Sequence, residues 1–402
     1  MRLLFVKRAL AFPRSSGHDV HTFYMMKACG HLGHDIALAT VVEPSVEAIE
    51  GLELAARFVI GGGANSAPFV LAGTRLQKRF RSFWGVHDGQ VAALARAAAS
   101  WRADAVVIGG LDALPYFPAL SGVVRVWYAA DEWVLHHCSQ LKIGDPELKA
   151  NLRDAVIKGL YERAHRQVID RAWVVTESDR KAMRWIAGVR NVDVLPNGVD
   201  SDHFRPAEAP PKPNTAAFWG RLDFGPNIQA LEWFCDRVWP HVLKDVPGGR
   251  FTIMGFNPGS EMRRLAAQPG IELRSNLPDL RSAAGEHALA VLPFVSGAGI
   301  KNKLLEAASM GLPIVCTPTA TMGLNGRVPA VVASTPEAFA SAIVRTWRDP
   351  NRAELGAAAR AWVVEAHTWE SAAQRAIDGL RPRRVSSKVG AVTPSHSVNT
   401  KS

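Results

Sequence analysis

The sequence predicts an α/β fold of two doubly wound, Rossmann-like domains that face each other across a cleft. Short apolar runs alternate with helix-length segments along the chain, and this alternation is typical of parallel sheets with helices on both faces. The chain has 402 residues, enough for two or three domains of roughly 150 residues each. A proline-rich break near the middle divides the pattern into two similar halves.

In the first half, short apolar runs bounded by polar or turn residues predict strands, and longer segments predict helices. The predicted strands are Leu3–Val6, Ile36–Thr40, Ala105–Ile108, Val123–Tyr128 and Ala172–Thr176. The predicted helices are Val20–Leu32, Val91–Trp101 and Pro146–Val168.

The second half repeats this alternation. Its predicted strands are Thr215–Trp219, Arg250–Met254, Ile271–Leu273, Ala288–Leu292, Ile314–Cys316 and Ala330–Val332. Its last predicted helices are rich in Ala and Trp, and they are Pro336–Arg348 and Asn351–Leu380.

Asn197–Thr215 separates the halves, because it has turn residues and prolines without apolar periodicity. We therefore expect an N-terminal domain at 1–200, a linker at 201–214 and a C-terminal domain at 215–365. A helix at 366–380 is expected to return to the first domain, where its tryptophan could pack. Residues 381–402 are basic, Ser-rich and aperiodic, and we expect them to be disordered.

The composition is that of an ordinary globular protein, with 48% apolar and 21% charged residues. No apolar run approaches the ~20 residues of a membrane helix. The N-terminal "MRLLFVKRALAF" lacks a continuous apolar core, so we interpret it as a first strand and not as a signal peptide. The four cysteines are far apart without metal-type spacing, which favours reduced thiols and a cytoplasmic location.

The net charge is +10 and the pI about 9.7, which admits nucleic acid, an anionic membrane or phosphorylated small molecules as partners. Thr74–Trp84 places basic beside aromatic residues, and such a helix can lie on an anionic bilayer at the inner face of the membrane. The alternative is a solvated helix with one packed edge. No aromatic-basic platform supports nucleic acid, so we expect none as a partner.

The segment "VLPFVSGAGIKNKLLEAASMGLPIVCT" contains a strand, a glycine-rich loop, a helix and a further strand. The start of a helix exposes unpaired N–H groups and a partial positive charge, and glycines allow a ligand to approach that backbone closely. Gly299, Ile300, Lys301 and Lys303 therefore form a candidate diphosphate site. Glu306, one turn into the helix, could accept hydrogen bonds from ribose hydroxyls, so the combination indicates a nucleotide.

A solvated helix start is the alternative interpretation, in which Glu306 pairs with Lys303 at i,i+3. Two cations at a helix N-terminus oppose its dipole, however, and they call for a compensating anion. A second basic loop favours the nucleotide. Arg221 follows Gly220 at the end of the strand in "FWGRLDFGPN", where a guanidinium can hold phosphate with two hydrogen bonds.

Three segments in order, "LPNGVDSDHFRP", "GRLDFGPNIQALEWF" and "GAGIKNKLLEAASMGLPIVCT", resemble the successive signatures of group-one glycosyltransferases with the GT-B fold. The segments "GIKNKLLEA" and "GPNI" together are most similar to the branch linked to exopolysaccharide sugar transfer. The resemblance implies a nucleotide-sugar donor in the second domain, a saccharide or lipid-linked acceptor in the first, and usually retention of anomeric configuration without a metal or other cofactor.

The resemblance also implies roles for individual residues. Arg221 matches the arginine that binds the donor diphosphate, and Glu306 matches the glutamate that holds the ribose. Leu277 lies where the backbone of the family contacts the base. Gly17, after the first strand, matches the glycine loop that faces acceptor and diphosphate. With Lys301 and Lys303, Arg221 would stabilise the leaving diphosphate, so Arg221 and Lys301 are candidate catalytic residues.

This chain departs from the family pattern at several positions. Ala298 replaces the first glutamate of the usual pair, and "GPN" replaces the lysine that normally follows the arginine, so Lys301 or Lys303 would supply that charge. Ala130 replaces a histidine near the transferred sugar. Asp131 is then the nearest polar candidate for a catalytic role, followed by His136 or His137, and the alternative for Asp131 is a helix cap.

These departures keep two other functions open. One is a nucleotide-sugar epimerase or hydrolase on the same fold, and the other is a non-catalytic nucleotide-sugar-binding scaffold of a polysaccharide complex. Asp200-Ser201-Asp202 has the form of a metal–diphosphate motif from a different glycosyltransferase fold. It lies in the predicted linker turn, so we expect no metal site there.

Overall fold

The computed structural model describes residues 1–12, 17–61, 74–130, 132–139, 148–277, 279–297, 299–324 and 327–381. Within these ranges the chain forms two parallel sheets, as the sequence predicts, and each has helices packed on it. The expectation of disorder for 381–402 falls, beyond Arg381, outside the described residues.

The first sheet has seven parallel strands in the order β3-β2-β1-β4-β5-β6-β7. Their bounds are β1 (Arg2–Lys7), β2 (Asp35–Thr40), β3 (Leu54–Val59), β4 (Ala105–Gly109), β5 (Val124–Ala130), β6 (Arg171–Val174) and β7 (Val192–Val194). The helices of this half are α1 (Gly17–His31), α2 (Val46–Ile49), α3 (Arg75–Phe83), α4 (Asp88–Ser100), α5 (Trp133–Ser139), α6 (Leu148–His165) and α7 (Glu177–Ala182), the last continuing into a π-helix, Met183–Ala187.

The second sheet has six parallel strands in the order β10-β9-β8-β11-β12-β13. Their bounds are β8 (Lys212–Arg221), β9 (Arg250–Phe256), β10 (Ile271–Ser275), β11 (His287–Leu292), β12 (Ile314–Cys316) and β13 (Val331–Val332). The helices are α8 (Gly225–Trp233), α9 (Trp239–Asp245), α10 (Ser260–Ala266), α11 (Leu280–Gly285), α12 (Asn302–Ser309), α13 (Pro336–Arg348), α14 (Arg352–Ala366) and α15 (Trp369–Leu380).

The continuous apolar runs form the central strands, because helices bury both faces of each sheet. Every residue of β4 and of β11 is buried. The sequence analysis missed β3 and β7. In β3, half-exposed and exposed residues alternate at the sheet edge, and β7 has only three residues, so neither has the apolar run on which the prediction depended.

The last predicted helix, Asn351–Leu380, is two helices. It is interrupted at His367, and the side chain of Thr368 caps α15 by accepting a hydrogen bond from the N–H of Ser371. Helix α15 belongs to the core of the first domain, where Trp369 stacks on Tyr24 at 5.4 Å. The chain just before the predicted linker approaches α15 closely, since a Cβ at Gly198 would lie 2.4 Å from the backbone nitrogen of Trp369.

None of the helices that the structure describes is long and apolar enough to cross a membrane.

Candidate functional site

The carboxyl ends of β8 and β11 bring the two basic loops of the second domain together. These strands are neighbours in the sheet and run parallel, so the residues that follow them meet at one edge. β8 ends with Gly220 and Arg221, and β11 leads into the loop before α12. The ammonium of Lys303 returns from α12 to the end of β8, over the rings of Phe218 and Phe294 at 5.6 and 5.8 Å.

Gly220 makes room for Lys303. Its φ is +140°, and a Cβ at this position would lie 2.3 Å from Cε and 2.6 Å from Nζ of Lys303. Any other residue would therefore displace the lysine. The neighbouring strand β9 also needs a glycine here, because a Cβ at Gly255 would lie 1.7 Å from the carbonyl oxygen of Gly220.

Glu306 faces the same space from the first turns of α12. Its Oε2 accepts a hydrogen bond of 2.7 Å from the indole N–H of Trp219, and Oε1 accepts none from the residues that the structure describes. Burial raises the pKa of Glu306, and the Trp219 hydrogen bond and Lys303 oppose that shift. Burial likewise lowers the pKa of Lys303, with Glu306 opposing. Each group therefore helps to keep the other charged.

The remaining predicted phosphate ligands have partners within the protein. The ammonium of Lys301 donates to the carbonyl of Gly297 at 2.8 Å. Arg221 is exposed and forms two hydrogen bonds to Asp223, of 3.1 and 3.3 Å. This exposed pair contributes little stability, so an anion could compete for the guanidinium at small cost. The sequence analysis did not include Asp223.

Asn227, the last residue of the "GPN" segment, holds the backbone at the end of β8. It is 2% exposed, and its Nδ2 donates to the carbonyl of Arg221 at 2.6 Å. Its Oδ1 has no hydrogen-bond partner in the described part of the chain. An amide thus fixes the backbone of Arg221 at the "GPN" position, and of the two lysines that the sequence analysis offered as a replacement charge, Lys303 lies next to Gly220.

The loop before α12 also reaches the first domain. Gly299 has φ of +76°, a left-handed conformation that glycine adopts without strain. Next to it, Ile300 packs beside Gly323, where a Cβ would lie 3.1 Å from both Ile300 Cγ1 and Thr176 Cγ2. Thr176 follows β6 of the first domain, so the strand ends of both sheets meet at this point. Ala298 lies outside the described residues.

Leu277 follows β10, half-buried against the core of the second domain. β10 is two strands from β8, about 10 Å at the usual strand spacing. A nucleotide with its phosphates at Gly220 could extend its base toward this residue. Gly17 begins α1 after β1 of the first domain.

The first domain presents buried, neutral groups at its strand ends. Ala130 ends β5 with φ of +59°, a strained conformation for a residue with a side chain. The ring of His18 stacks on Trp133 with centroids 5.8 Å apart, and its Nε2 has no partner among the described residues. Burial, followed by Lys7, lowers the pKa of His18 to about 4. His18 received no role in the sequence analysis.

Asp131, the predicted catalytic carboxylate, lies outside the described residues, as does the side chain of His136. His137 is buried, with Nε2 2.5 Å from the ammonium of Lys158. Its neighbourhood includes two fully buried carboxyl groups, Glu132 and Glu162, at 0% exposure. Burial, and then the nearby Glu132, raise the pKa of Glu162 well above its usual range.

Asp200 of the Asp-Ser-Asp turn pairs with Lys27 of α1 at 3.4 Å and accepts from the N–H of His203. It therefore connects the linker to the first domain. In the described ranges, no group of three or more His, Cys, Asp or Glu residues has the geometry to hold a metal ion.

Comparisons with known proteins identify what the chain is similar to. Residues 213–349 match the family described as glycosyl transferases group 1. A GDP-mannose-dependent alpha-(1-6)-phosphatidylinositol monomannoside mannosyltransferase of Mycobacterium tuberculosis is 25% identical over 223 residues, which cover 48% of this chain and 56% of that protein. The chain thus spans about half the length of the curated relatives it matches.

Solved structures extend the likeness to both domains. Sucrose-phosphate synthase from Thermosynechococcus elongatus has a TM-score of 0.64 at 14% identity, covering 94% of this chain and 97% of that one. HepE of Anabaena, solved with UDP-glucose, has a TM-score of 0.62 at 15% identity, covering 94% and 99%. TarM of S. aureus, solved with fondaparinux, alpha-GlcNAc-glycerol and UDP, has 0.65 at 11%, covering 95% and 100%. The fold is GT-B.

Proposed function

We propose that this chain, whose residues 213–349 match the group 1 glycosyltransferases, transfers a sugar from a nucleoside-diphosphate sugar to a saccharide or lipid-linked acceptor. The observation that carries the proposal is the approach of Lys303 to Gly220 beside Glu306. A cation, a glycine at a strand end and a carboxylate whose Oε2 is held by Trp219 lie together at one edge of the sheet. These are the groups that a diphosphate and a ribose require.

In this proposal the diphosphate lies between Gly220 and the start of α12. Lys303 and Lys301 contact it from the helix, and Arg221 exchanges Asp223 for a phosphate oxygen. Glu306 accepts hydrogen bonds from the ribose through Oε1. The similarity to proteins solved with UDP or UDP-glucose and to a GDP-mannose-dependent enzyme supports a nucleotide-sugar donor.

The chemistry follows from the position of these charges. Glycosyl transfer passes through an oxocarbenium-like transition state while negative charge grows on the leaving diphosphate. Cations fixed at that oxygen before the reaction stabilise the growing charge, and such preorganised stabilisation is often the largest catalytic contribution. Lys301, Lys303 and Arg221 would make this contribution. Gly323 lies close to both Ile300 and Thr176, and we propose that the two domains exclude water from the reaction there.

Several finer properties belong to the same proposal. We propose retention of anomeric configuration, independence of a metal, and a role in exopolysaccharide or related glycoconjugate synthesis on the cytoplasmic face of a membrane. Comparing the anomers of donor and product by NMR tests the first property. Turnover that persists in excess EDTA tests the second.

The test of the donor site is a thermal-shift panel of nucleoside diphosphates and nucleotide sugars. A ligand that binds only the folded state raises its unfolding temperature. The wild type is compared with Lys301→Ala/Glu306→Ala and with a matched control, Lys212→Ala/Glu286→Ala. The control pair is 2.7 Å apart at the opposite end of β8. We expect one nucleotide to stabilise the wild type and the control, but not the first variant.

Stabilisation of all three proteins to the same extent would contradict the proposed site, and no stabilisation of the wild type by any of these ligands would contradict the proposed nucleotide-sugar donor. Product formation then separates the remaining enzymes. An epimerase or hydrolase converts the donor alone, whereas a transferase requires the acceptor.

A further inference from the structure

Helix α6 buries two titratable side chains and exposes an apolar row. A surface helix normally faces the core with its apolar residues and water with its charged ones. Part of α6 departs from this pattern, because Glu162 and His165 are 0% exposed while Leu152, Val156 and Leu160 are 54%, 56% and 52% exposed. These three residues are spaced four apart, so they form one stripe along the helix. We call them the α6 stripe.

Neighbouring elements add to this apolar surface. Trp185 is 84% exposed in the π-helix Met183–Ala187, which packs against α6. On α3, which also packs against α6, Phe83 is 71% and Leu76 is 41% exposed. The sequence analysis had left two alternatives for Thr74–Trp84, a membrane-binding helix and a solvated helix with one packed edge. Two aromatic residues of that segment pack on Tyr161 of α6, so α6 contributes much of the exposed apolar area.

The exposed charged residues around the stripe all have one sign. Two acidic residues on these elements, Asp154 and Glu177, are half-buried, and each is paired with an arginine. The exposed charged residues on α3, α6, α7 and the π-helix are all basic, and they are Arg75, Lys78, Arg79, Lys149, Arg153, Arg163, Lys181 and Arg184. Two copies of such a face would repel each other, whereas an anionic surface would attract it.

We propose that the α6 stripe, with Trp185 and Phe83, docks this chain on an anionic phospholipid bilayer. The apolar side chains enter the boundary between headgroups and acyl chains, and the surrounding basic residues contact the headgroups. Docking does not depend on the proposed activity. If that activity holds, a lipid-linked acceptor would arrive close to the cleft, because α5 packs on α6 and follows the carboxyl end of β5.

The test is cosedimentation of the full chain with vesicles of phosphatidylcholine and phosphatidylglycerol in equal amounts, and with phosphatidylcholine alone. The stripe variant is Leu152→Ser/Val156→Ser/Leu160→Ser. Its matched control is Val46→Ser/Val59→Ser/Val364→Ser, at residues that are 78%, 47% and 43% exposed elsewhere. We expect the stripe variant to partition at least about tenfold more weakly onto the mixed vesicles, the control to change by less than about twofold, and added salt to weaken wild-type binding.

Equal binding by the stripe variant and the wild type would overturn the proposal. So would a stripe variant that changes the oligomeric mass in solution while its vesicle binding is unchanged, since the stripe would then join two copies. A second readout is independent of affinity. A fluorophore on Val156→Cys, in a Cys138→Ser background, should shift its emission to the blue on mixed vesicles, and unchanged emission of bound protein would also overturn the proposal. Nucleotide-induced stabilisation reports separately on the proposed function.

Discussion

Both domains bury titratable groups near their strand ends. Nearby charges oppose the effect of burial on the pKa values in one domain and reinforce it in the other. In the second domain, burial shifts the pKa values of Lys303 and Glu306 toward neutrality, and each residue opposes the shift of the other. In the first domain, nearby charge reinforces burial, since Lys7 further lowers the pKa of His18 and Glu132 further raises that of Glu162. If the proposed function holds, the second domain thus retains the charge that an anionic donor requires, and the first offers neutral groups that suit a hydroxyl acceptor.

The largest effect is expected from a substitution that disrupts the charged site of the second domain without removing a charge. Gly220→Ala would displace Lys303 and block the approach of a ligand to the strand end, because the new Cβ overlaps Cε and Nζ. We expect the affinity for the nucleotide found by thermal shift to fall roughly 100-fold, the equivalent of about 2.7 kcal/mol. Isothermal titration calorimetry measures it. Gly225→Ala is the control, since nothing lies within 4 Å of a Cβ there, and equal affinities of the two variants would refute the role of Gly220.

Lys303→Met tests the charge at the strand end and its coupling to Glu306. Methionine fills similar space between Phe218 and Phe294, but it leaves the buried Glu306 without its opposing charge. We expect nucleotide affinity to fall about 30-fold, from loss of a charged contact, and the free energy of unfolding without ligand to fall by roughly 1–3 kcal/mol, because an uncompensated buried carboxylate destabilises the fold. Calorimetry and urea denaturation measure the two quantities. A variant that binds as well as the wild type would remove Lys303 from the donor site.

The sequence was sufficient to predict that the charged groups of the second domain lie near one another, and insufficient to predict the buried neutral groups of the first. Lys303, Glu306 and Arg221 lie in continuous motifs next to glycines, and parallel strands bring their ends together by geometry alone. Asp223 was missed because its role is a contact to Arg221 across two residues of a turn. His18 was missed because its environment comes from Trp133 and Lys7, which are distant in sequence and meet only in the fold.

His18→Leu tests the neutral side, on the premise that the proposed transfer occurs. His18 Nε2 has no partner in the described part of the chain, so an acceptor hydroxyl could bind it. We expect the acceptor KM to rise about tenfold, the loss of one neutral hydrogen bond, with donor affinity unchanged. His31→Leu, at the exposed end of the same helix, is the control. A change in donor affinity instead of acceptor KM would place His18 on the wrong side of the cleft.

Glu162→Gln tests the neutral side without any assumption about activity, and it should change stability alone. The folded-state pKa of Glu162 lies well above its ordinary value, whereas in the unfolded chain it is about 4.3. The folded protein therefore holds a proton that the unfolded chain releases. The stabilisation from this group is complete below pH ~4.3 and is lost as pH rises toward the folded-state pKa. Each unit of upward shift corresponds to about 1.4 kcal/mol.

Glutamine has no proton to release. We therefore expect the free energy of unfolding of the variant to fall less between pH 5 and pH 8 than that of the wild type. Urea denaturation at several pH values between these limits measures the slope. Glu177→Gln is the control of opposite sign. Arg180 lowers the pKa of Glu177, so its contribution is present at neutral pH and fades only in acid. If Glu162→Gln left the slope between pH 5 and 8 unchanged, Glu162 would be charged in the folded protein, and the contrast between the domains would fail at this residue.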